Sequence, residues 1–399
     1  MVNDLFYPDE MGGSGRYLSE IAKGLVRDGA TVSVISRKLK QEQNDQDVFE
    51  GINLYRYFAD ESSPMDYYQS TMKNVKTVFE EFIDNNQIDM INFHLPLTAM
   101  GVLSSKKAKN IKKVYTFHSP WSREYEIKVS LDDEAKVEDL LWFERFQSWT
   151  RKKTEEKALK SCEFIMVLSE FMKAQCLTYH PKIKIPFHIF PGGAEIDKFK
   201  PAEDREAVRT ELSIEQDKTI LLTVRGLTPR TGIQNLIDAM PKVVENNPNV
   251  KLLIGGGGAL REKLEEKVAT LGLKNNVSFL GFIEDKDLVK YYQAADYFIL
   301  PTKHLEGFGL VTTEALSCGL PVLATPVGGT TEILSRFNSE LLFRDTSAEA
   351  MSSKIIDFTN RDKSKWEKLS KECREYIENN YVWNHVAKKV HRTLKDSIK

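Results

Sequence analysis

The sequence predicts an α/β protein made of repeated βαβ units, with parallel sheets in two domains, and three observations predict it. Segments with apolar residues every three to four positions alternate with short runs rich in β-branched and aromatic residues. Most of those runs are predominantly apolar, as in strands covered by helices on both faces. With 399 residues, 41% of them hydrophobic, the chain can bury two cores of ordinary size.

The strands expected in the first domain are Thr31 to Ser36, Ile88 to Phe93, Val114 to Phe117 and Phe164 to Leu168. Those of the second are Ile220 to Val224, Leu252 to Ile254, Val277 to Leu280, Tyr297 to Leu300 and Val322 to Ala324. The pattern pauses once, between Pro191 and Pro201, where two prolines and the pair Gly192-Gly193 break both periods. This divides the chain into domains at 1–190 and 191–380. A last helix over 381–399 carries Val382, Val386, Val390 and Leu394 on one stripe and either finishes the second domain or crosses back to the first. At the other end, Met1-Val2-Asn3-Asp4 leads quickly into Met11-Gly12-Gly13-Ser14-Gly15 and a helix with Leu18, Ile21, Ala22 and Leu25 inward. The expectation is a shortened first strand or a start that lies upstream.

Composition removes several function classes. The 56 basic and 58 acidic residues leave a formal charge of −2, so no global field draws nucleic acid. The four cysteines are scattered without a CxxC pair, and no signal peptide or membrane-spanning apolar run is visible, which predicts a cytoplasmic protein without a structural metal. Two stretches bear on membranes: the basic run Lys106, Lys107, Lys109, Lys112 and Lys113, and Leu141, Trp142, Phe146 and Trp149 ahead of Arg151-Lys152-Lys153. A solvated face and an ordinary core stripe are the favoured readings; peripheral contact with the inner membrane face is the other.

Chemistry concentrates after strand ends, where ligands gather in open α/β sheets. Pro301 ends the strand Tyr297 to Leu300, and the glycines of Glu306-Gly307-Phe308-Gly309 delay a helix that should begin near Leu310. Glu306 then sits in the loop and Glu314 in the first turns. The amides of Phe308, Gly309 and Leu310 lie at a helix N-terminus, which suits a phosphate by about 0.3 to 2 kcal/mol. One carboxylate can bind sugar hydroxyls and the other a ribose diol, or the two are a solvated loop charge and a first-turn charge. Arg225 and Arg230 follow the strand Ile220 to Val224 and match the needs of a diphosphate, although surface arginines are common. Gly257 belongs to a four-glycine turn that lets backbone approach a ligand, but it lacks a P-loop lysine. In the first domain, Gly12 and Gly13 open a helix and either face the same diphosphate or only turn the chain. His118 follows Val114 to Phe117 and either bonds a sugar hydroxyl or is structural. Ser169 is a cleft hydroxyl or the N-cap of the next helix.

At these residues the sequence resembles the family-4 retaining glycosyltransferases of GT-B fold, which have two facing Rossmann-like domains and an interdomain cleft. The likeness spans nearly the whole chain. It rests on Glu306 to Glu314, on Tyr291-Tyr292-Gln293-Ala294-Ala295-Asp296, on Gly319 to Thr325 with Gly328-Gly329 and Glu332, and on Gly12-Gly13. It implies a UDP- or GDP-hexose donor held mainly by the second domain, with Glu306 near the sugar, Glu314 on the ribose and Phe308 to Leu310 on phosphate. His118 and Gly12-Gly13 would close over the donor. Transfer would retain anomeric configuration and use neither metal nor cofactor, with a glycan, a lipid-linked molecule or a small molecule as acceptor, in polysaccharide or glycoconjugate synthesis.

The sequence departs from the family at the cations. The family usually has arginine at the position of Gly226 and lysine near Thr231; here the cations are Arg225 and Arg230, each displaced by one residue. Adjacent residues leave a strand in opposite directions, so Arg225 is expected to point away unless the turn is bulged. This leaves a catalytically weak nucleotide-sugar-binding pseudoenzyme as the alternative. A nicotinamide dehydrogenase is disfavoured, because no GxGxxG with an acidic partner follows a strand.

Overall fold

The computed structural model describes residues 1–9, 12–130 and 136–398; Met11 of the glycine run lies outside them. Through residue 192 the elements are α1 (Gly13–Arg27), β1 (Ser33–Arg37), β2 (Gln46–Phe49), β3 (Ile52–Tyr57), α2 (Pro64–Asn85), β4 (Met90–Phe93), α3 (Pro96–Leu103), β5 (Lys112–Phe117), α4 (Trp121–Ser130), α5 (Trp142–Lys160), β6 (Phe164–Val167), α6 (Glu170–Tyr179) and β7 (Phe187–Ile189). There follow α7 (Arg205–Glu211), β8 (Thr219–Val224), α8 (Ile233–Asn246), β9 (Val250–Gly255), α9 (Arg261–Thr270), β10 (Val277–Gly281), α10 (Asp285–Ala294), β11 (Tyr297–Leu300), α11 (Leu310–Ser317), β12 (Val322–Ala324), α12 (Gly329–Phe337), α13 (Ala348–Thr359), α14 (Lys363–Asn380) and α15 (Trp383–Ile398). The chain divides into two compact units, one of residues 1–126, 137–192 and 383–399, the other of 127–136 and 193–382.

In the first unit the strands run β2-β3-β1 and β4-β5-β6-β7, all parallel except β2, which pairs antiparallel with β3. Val2 joins the two sets. It bridges Ile35 and Phe93 in parallel, its N–H donates to Asn92 O at 2.8 Å and its carbonyl accepts from His94 N at 3.0 Å. Residues 1–3 therefore serve as the abbreviated central strand. Phe79, Phe93, Tyr115, Phe117, Ile165 and Val167 are buried around the sheet. Each such burial stabilises by roughly 1.5 to 3 kcal/mol.

α1 begins at the glycine run and buries Leu18, Ile21, Ala22 and Leu25, as the pattern predicts. α15 packs on it: Tyr17 meets Trp383 edge-on at 5.7 Å, and Val386 and Val390 are buried. Lys112 ties the end of this helix down by donating to Ser397 O at 2.6 Å.

The second unit holds one fully parallel sheet, β10-β9-β8-β11-β12. Its central strands β8 and β11 bury Ile220, Leu221, Leu222, Phe298 and Ile299 completely, which is why they read as mostly apolar runs.

Three expectations need correction. β2, β3 and β7 were not anticipated: β2 is exposed at the sheet edge, β3 interleaves polar residues, and β7 has three residues, so none forms an apolar run. The Lys106 to Lys113 run is not one solvated face, since Lys113 is buried and its amine donates to Ile111 O at 2.5 Å. Leu141, Trp142, Phe146 and Trp149 form no core stripe; they stand on the outside of α5, with Trp142 80% exposed.

Candidate active site

Because β8, β9, β11 and β12 are parallel neighbours, their following loops leave the second unit's sheet at one edge. Two glycines let these loops touch. Gly232, at φ +71°, would place a Cβ 1.8 Å from Pro301 O, so only glycine admits the β11 loop against the β8 loop. Gly328, at φ +73°, would place one 2.1 Å from Glu306 O, and Gly329 N donates to that same carbonyl at 2.9 Å. The backbone of Glu306 is thus fixed from the β12 side.

Its side chain is fixed from the other. Arg225 Nη1 lies 2.6 Å from Glu306 Oε2, with the two side chains only 9% and 12% exposed. Arg225 therefore does not turn away as alternation along the strand predicted; it lies in the loop beyond β8, where Arg225 N donates to Gly255 O at 2.9 Å. Thr302 Oγ1 approaches the same carboxylate oxygen at 3.4 Å. Arg230 acts on the backbone: its Nη1 donates to Leu305 O at 3.1 Å, while its own carbonyl accepts from Lys303 N at 2.9 Å and His304 N at 3.2 Å. Leu305, held this way, adopts the left-handed φ of 55° just before Glu306.

α11 begins at Leu310, as predicted, with Gly309 as its N-cap at φ +94° and no side chain capping it. The N–H groups of Phe308, Gly309 and Leu310 meet no acceptor among the described residues. Such a row of amides at a helix start favours an anion. Glu314 lies deeper, 3% exposed, and Tyr292 donates its hydroxyl to Glu314 Oε2 at 3.1 Å across the buried interior. Gly257 accepts from Leu227 N at 2.8 Å, and a Cβ on it would meet nothing within 4 Å.

The other predicted residues belong to the first unit. Gly12 and Gly13 open α1, both exposed and without neighbours where a side chain would stand. His118 follows β5 and lines a cavity of about 160 Å³ with Ser14, Asp4, His94 and Glu155. Burial lowers the His118 imidazole from the usual 6.5 to about 4, so it is neutral at pH 7. Ser169 takes the capping alternative, accepting from Met172 N at 3.1 Å.

Sequence reasoning missed His94. His94 Nδ1 lies 3.0 Å from His118 Nε2, and the rings stack at 5.3 Å. Burial and the neighbouring imidazole hold His94 well below the usual histidine range. Between two neutral imidazoles one nitrogen donates and the other accepts, so the tautomer of His94 sets that of His118. The signal was present: Phe93-His94 ends β4 as Phe117-His118 ends β5, and the two strands are adjacent.

Residues 11–198 match the sequence model of Glycosyltransferase Family 4, and residues 204–382 that of Glycosyl transferases group 1. An uncharacterised glycosyltransferase of Methanocaldococcus jannaschii is 26% identical over 97% of this chain and 95% of its own. Among solved structures, the sucrose-phosphate synthase of Thermosynechococcus elongatus superposes with TM-score 0.81 at 23% identity, covering 96% of this chain and 93% of that one. The Anabaena protein HepE in complex with UDP and glucose superposes with TM-score 0.75 at 18% identity, over 99% and 98% of the two chains. With one family model on the first half and its companion on the second, laid over a GT-B fold, the chain belongs to the family-4 glycosyltransferases.

Proposed function

We propose that this glycosyltransferase moves a hexose from a nucleoside-diphosphate donor, a UDP- or GDP-sugar, to a hydroxyl acceptor, with retention of configuration and without metal. The observation that carries the reading is the Arg225 and Glu306 pair beside the three unpaired amides at the start of α11. A carboxylate with a cation on one oxygen still offers lone pairs to two sugar hydroxyls, while the amides suit the diphosphate. Arg225 and the amides supply, as the diphosphate leaves, the stabilisation that a metal gives elsewhere. Glu314, braced by Tyr292, takes the ribose diol. His118, a neutral imidazole, bonds a sugar hydroxyl without bringing a charge.

Retention follows if the acceptor attacks the face that the diphosphate leaves. The bond from anomeric carbon to diphosphate oxygen breaks as the bond to the acceptor oxygen forms, and the departing diphosphate takes the acceptor proton. The test is a panel of UDP- and GDP-hexoses incubated with EDTA-treated protein. Binding of at least one donor, and its slow hydrolysis with the anomer retained, is expected; binding of none sinks the reading.

A further inference from the structure

We propose that α5 is a docking stripe for an anionic bilayer surface. The helix is inverted relative to an ordinary amphipathic one: it buries Ser148, Thr154 and Glu155 along with Ala158 and Leu159, and it exposes its large aromatics. Trp142, Phe146 and Trp149 are 80%, 62% and 56% exposed, and Phe146 stacks on Trp149 at 6.1 Å. Lys153, Lys157 and Lys160 continue the same line at intervals of three and four, all exposed. One straight stripe of about 27 Å is thus aromatic over its first half and cationic over its second.

This zoning fits a lipid surface. Tryptophan and phenylalanine settle at the boundary between headgroups and acyl chains, and lysines along the same line reach anionic headgroups. Glu156 tempers the charge by pairing with Lys153 at 3.3 Å and Lys160 at 2.5 Å, while Lys157 has no acidic partner among the described residues. The stripe is convex, as any helix surface is, and suits a plane. A second copy fits less well: parallel pairing sets lysine against lysine, and antiparallel pairing sets lysine against tryptophan and leaves most of the apolar area uncovered. No helix is long and apolar enough to cross a membrane among the described residues, so contact would be peripheral.

Co-sedimentation of the full chain with vesicles tests this without donor or acceptor, so its outcome is independent of glycosyl transfer. On adding phosphatidylglycerol to phosphatidylcholine vesicles, the bound fraction should rise about tenfold or more, and high salt should reverse the gain. The triple variant W142A/F146A/W149A should stay in the supernatant with an unchanged melting temperature, since these side chains are exposed. K153Q/K157Q/K160Q should keep weak binding and lose the preference for anionic lipid. The proposal is overturned if the wild-type chain ignores both vesicles or if the aromatic variant binds as the wild type does. A dimer that dissolves in the aromatic variant while vesicles go unbound overturns it equally.

Discussion

Arg225 Nη1 stands 2.6 Å from Glu306 Oε2, which joins the cation after β8 to the carboxylate after β11 as one unit. Both side chains are about nine-tenths buried, so removing either leaves the other charge with little water to compensate it. Each of Arg225→Ala and Glu306→Ala should lower kcat/KM about a hundredfold or more, near 3 kcal/mol. The double variant should lose little beyond either single one. Steady-state kinetics on the four proteins decides it; additive losses would show that the residues act separately.

The glycines offer a paired control. Gly328→Ala forces a Cβ to 2.1 Å from Glu306 O at a φ of +73°, so it should cost about 1 to 3 kcal/mol of stability and displace Glu306 as well. Gly257→Ala meets no protein atom within 4 Å and should leave the melting temperature unchanged. A loss of donor affinity in Gly257→Ala alone would mark the space above that turn as occupied by the donor. Unchanged affinity would remove Gly257 from the binding surface.

Gly226→Arg tests the shifted cations. The nearest atom to a Cβ there is Gly257 O at 4.0 Å, so the substitution fits, whereas Thr231 is buried and donates to Thr228 O at 2.8 Å. Gly226→Arg should leave turnover within about twofold, because Arg225 already serves Glu306, and Thr231→Lys should lower the melting temperature. A gain of tenfold or more in Gly226→Arg would instead identify the wild type as a catalytically weakened binder.

The histidine pair predicts a pH dependence. With His118 lowered to about 4, the folded chain stays unprotonated there while the unfolded chain binds protons from about 6.5 downward. Stability is therefore complete above pH 6.5 and falls as pH drops toward 4. Melting temperatures across that window should decline, and less steeply in His94→Asn and His118→Asn. An equal slope in all three proteins would assign the acid sensitivity to other groups.

Tyr292→Phe removes a hydroxyl that braces Glu314 at 3.1 Å. KM for the donor should rise several-fold with kcat nearly unchanged, since the ribose lies away from the reacting bond. An equal fall in kcat would place Glu314 nearer the chemistry.

The sequence made the parallel sheets legible because β8 and β11 are buried on both faces and so form mostly apolar runs. β2 was not legible, since an exposed edge strand needs no apolar side chains. The start of α11 was readable from its glycines, and Glu306 with it. The direction of Arg225 was not, because strand alternation ceases to apply once β8 has ended at Val224. His94 was overlooked because its partner is adjacent only across the sheet. The aromatics of α5 have core-like spacing, and a spacing alone does not say which side of a helix meets the core.

The packing of α15 on α1 has a consequence for synthesis. The first unit is closed by residues 383–399, whereas nearly all of the second lies in the uninterrupted stretch 193–382. At roughly 5 to 20 residues per second, the ribosome needs about 10 to 40 seconds between completing β7 and releasing α15. During that interval the face of α1 that receives Trp383 and Ala387 is bare, while the second unit can already fold. The unit made first is thus the one finished last.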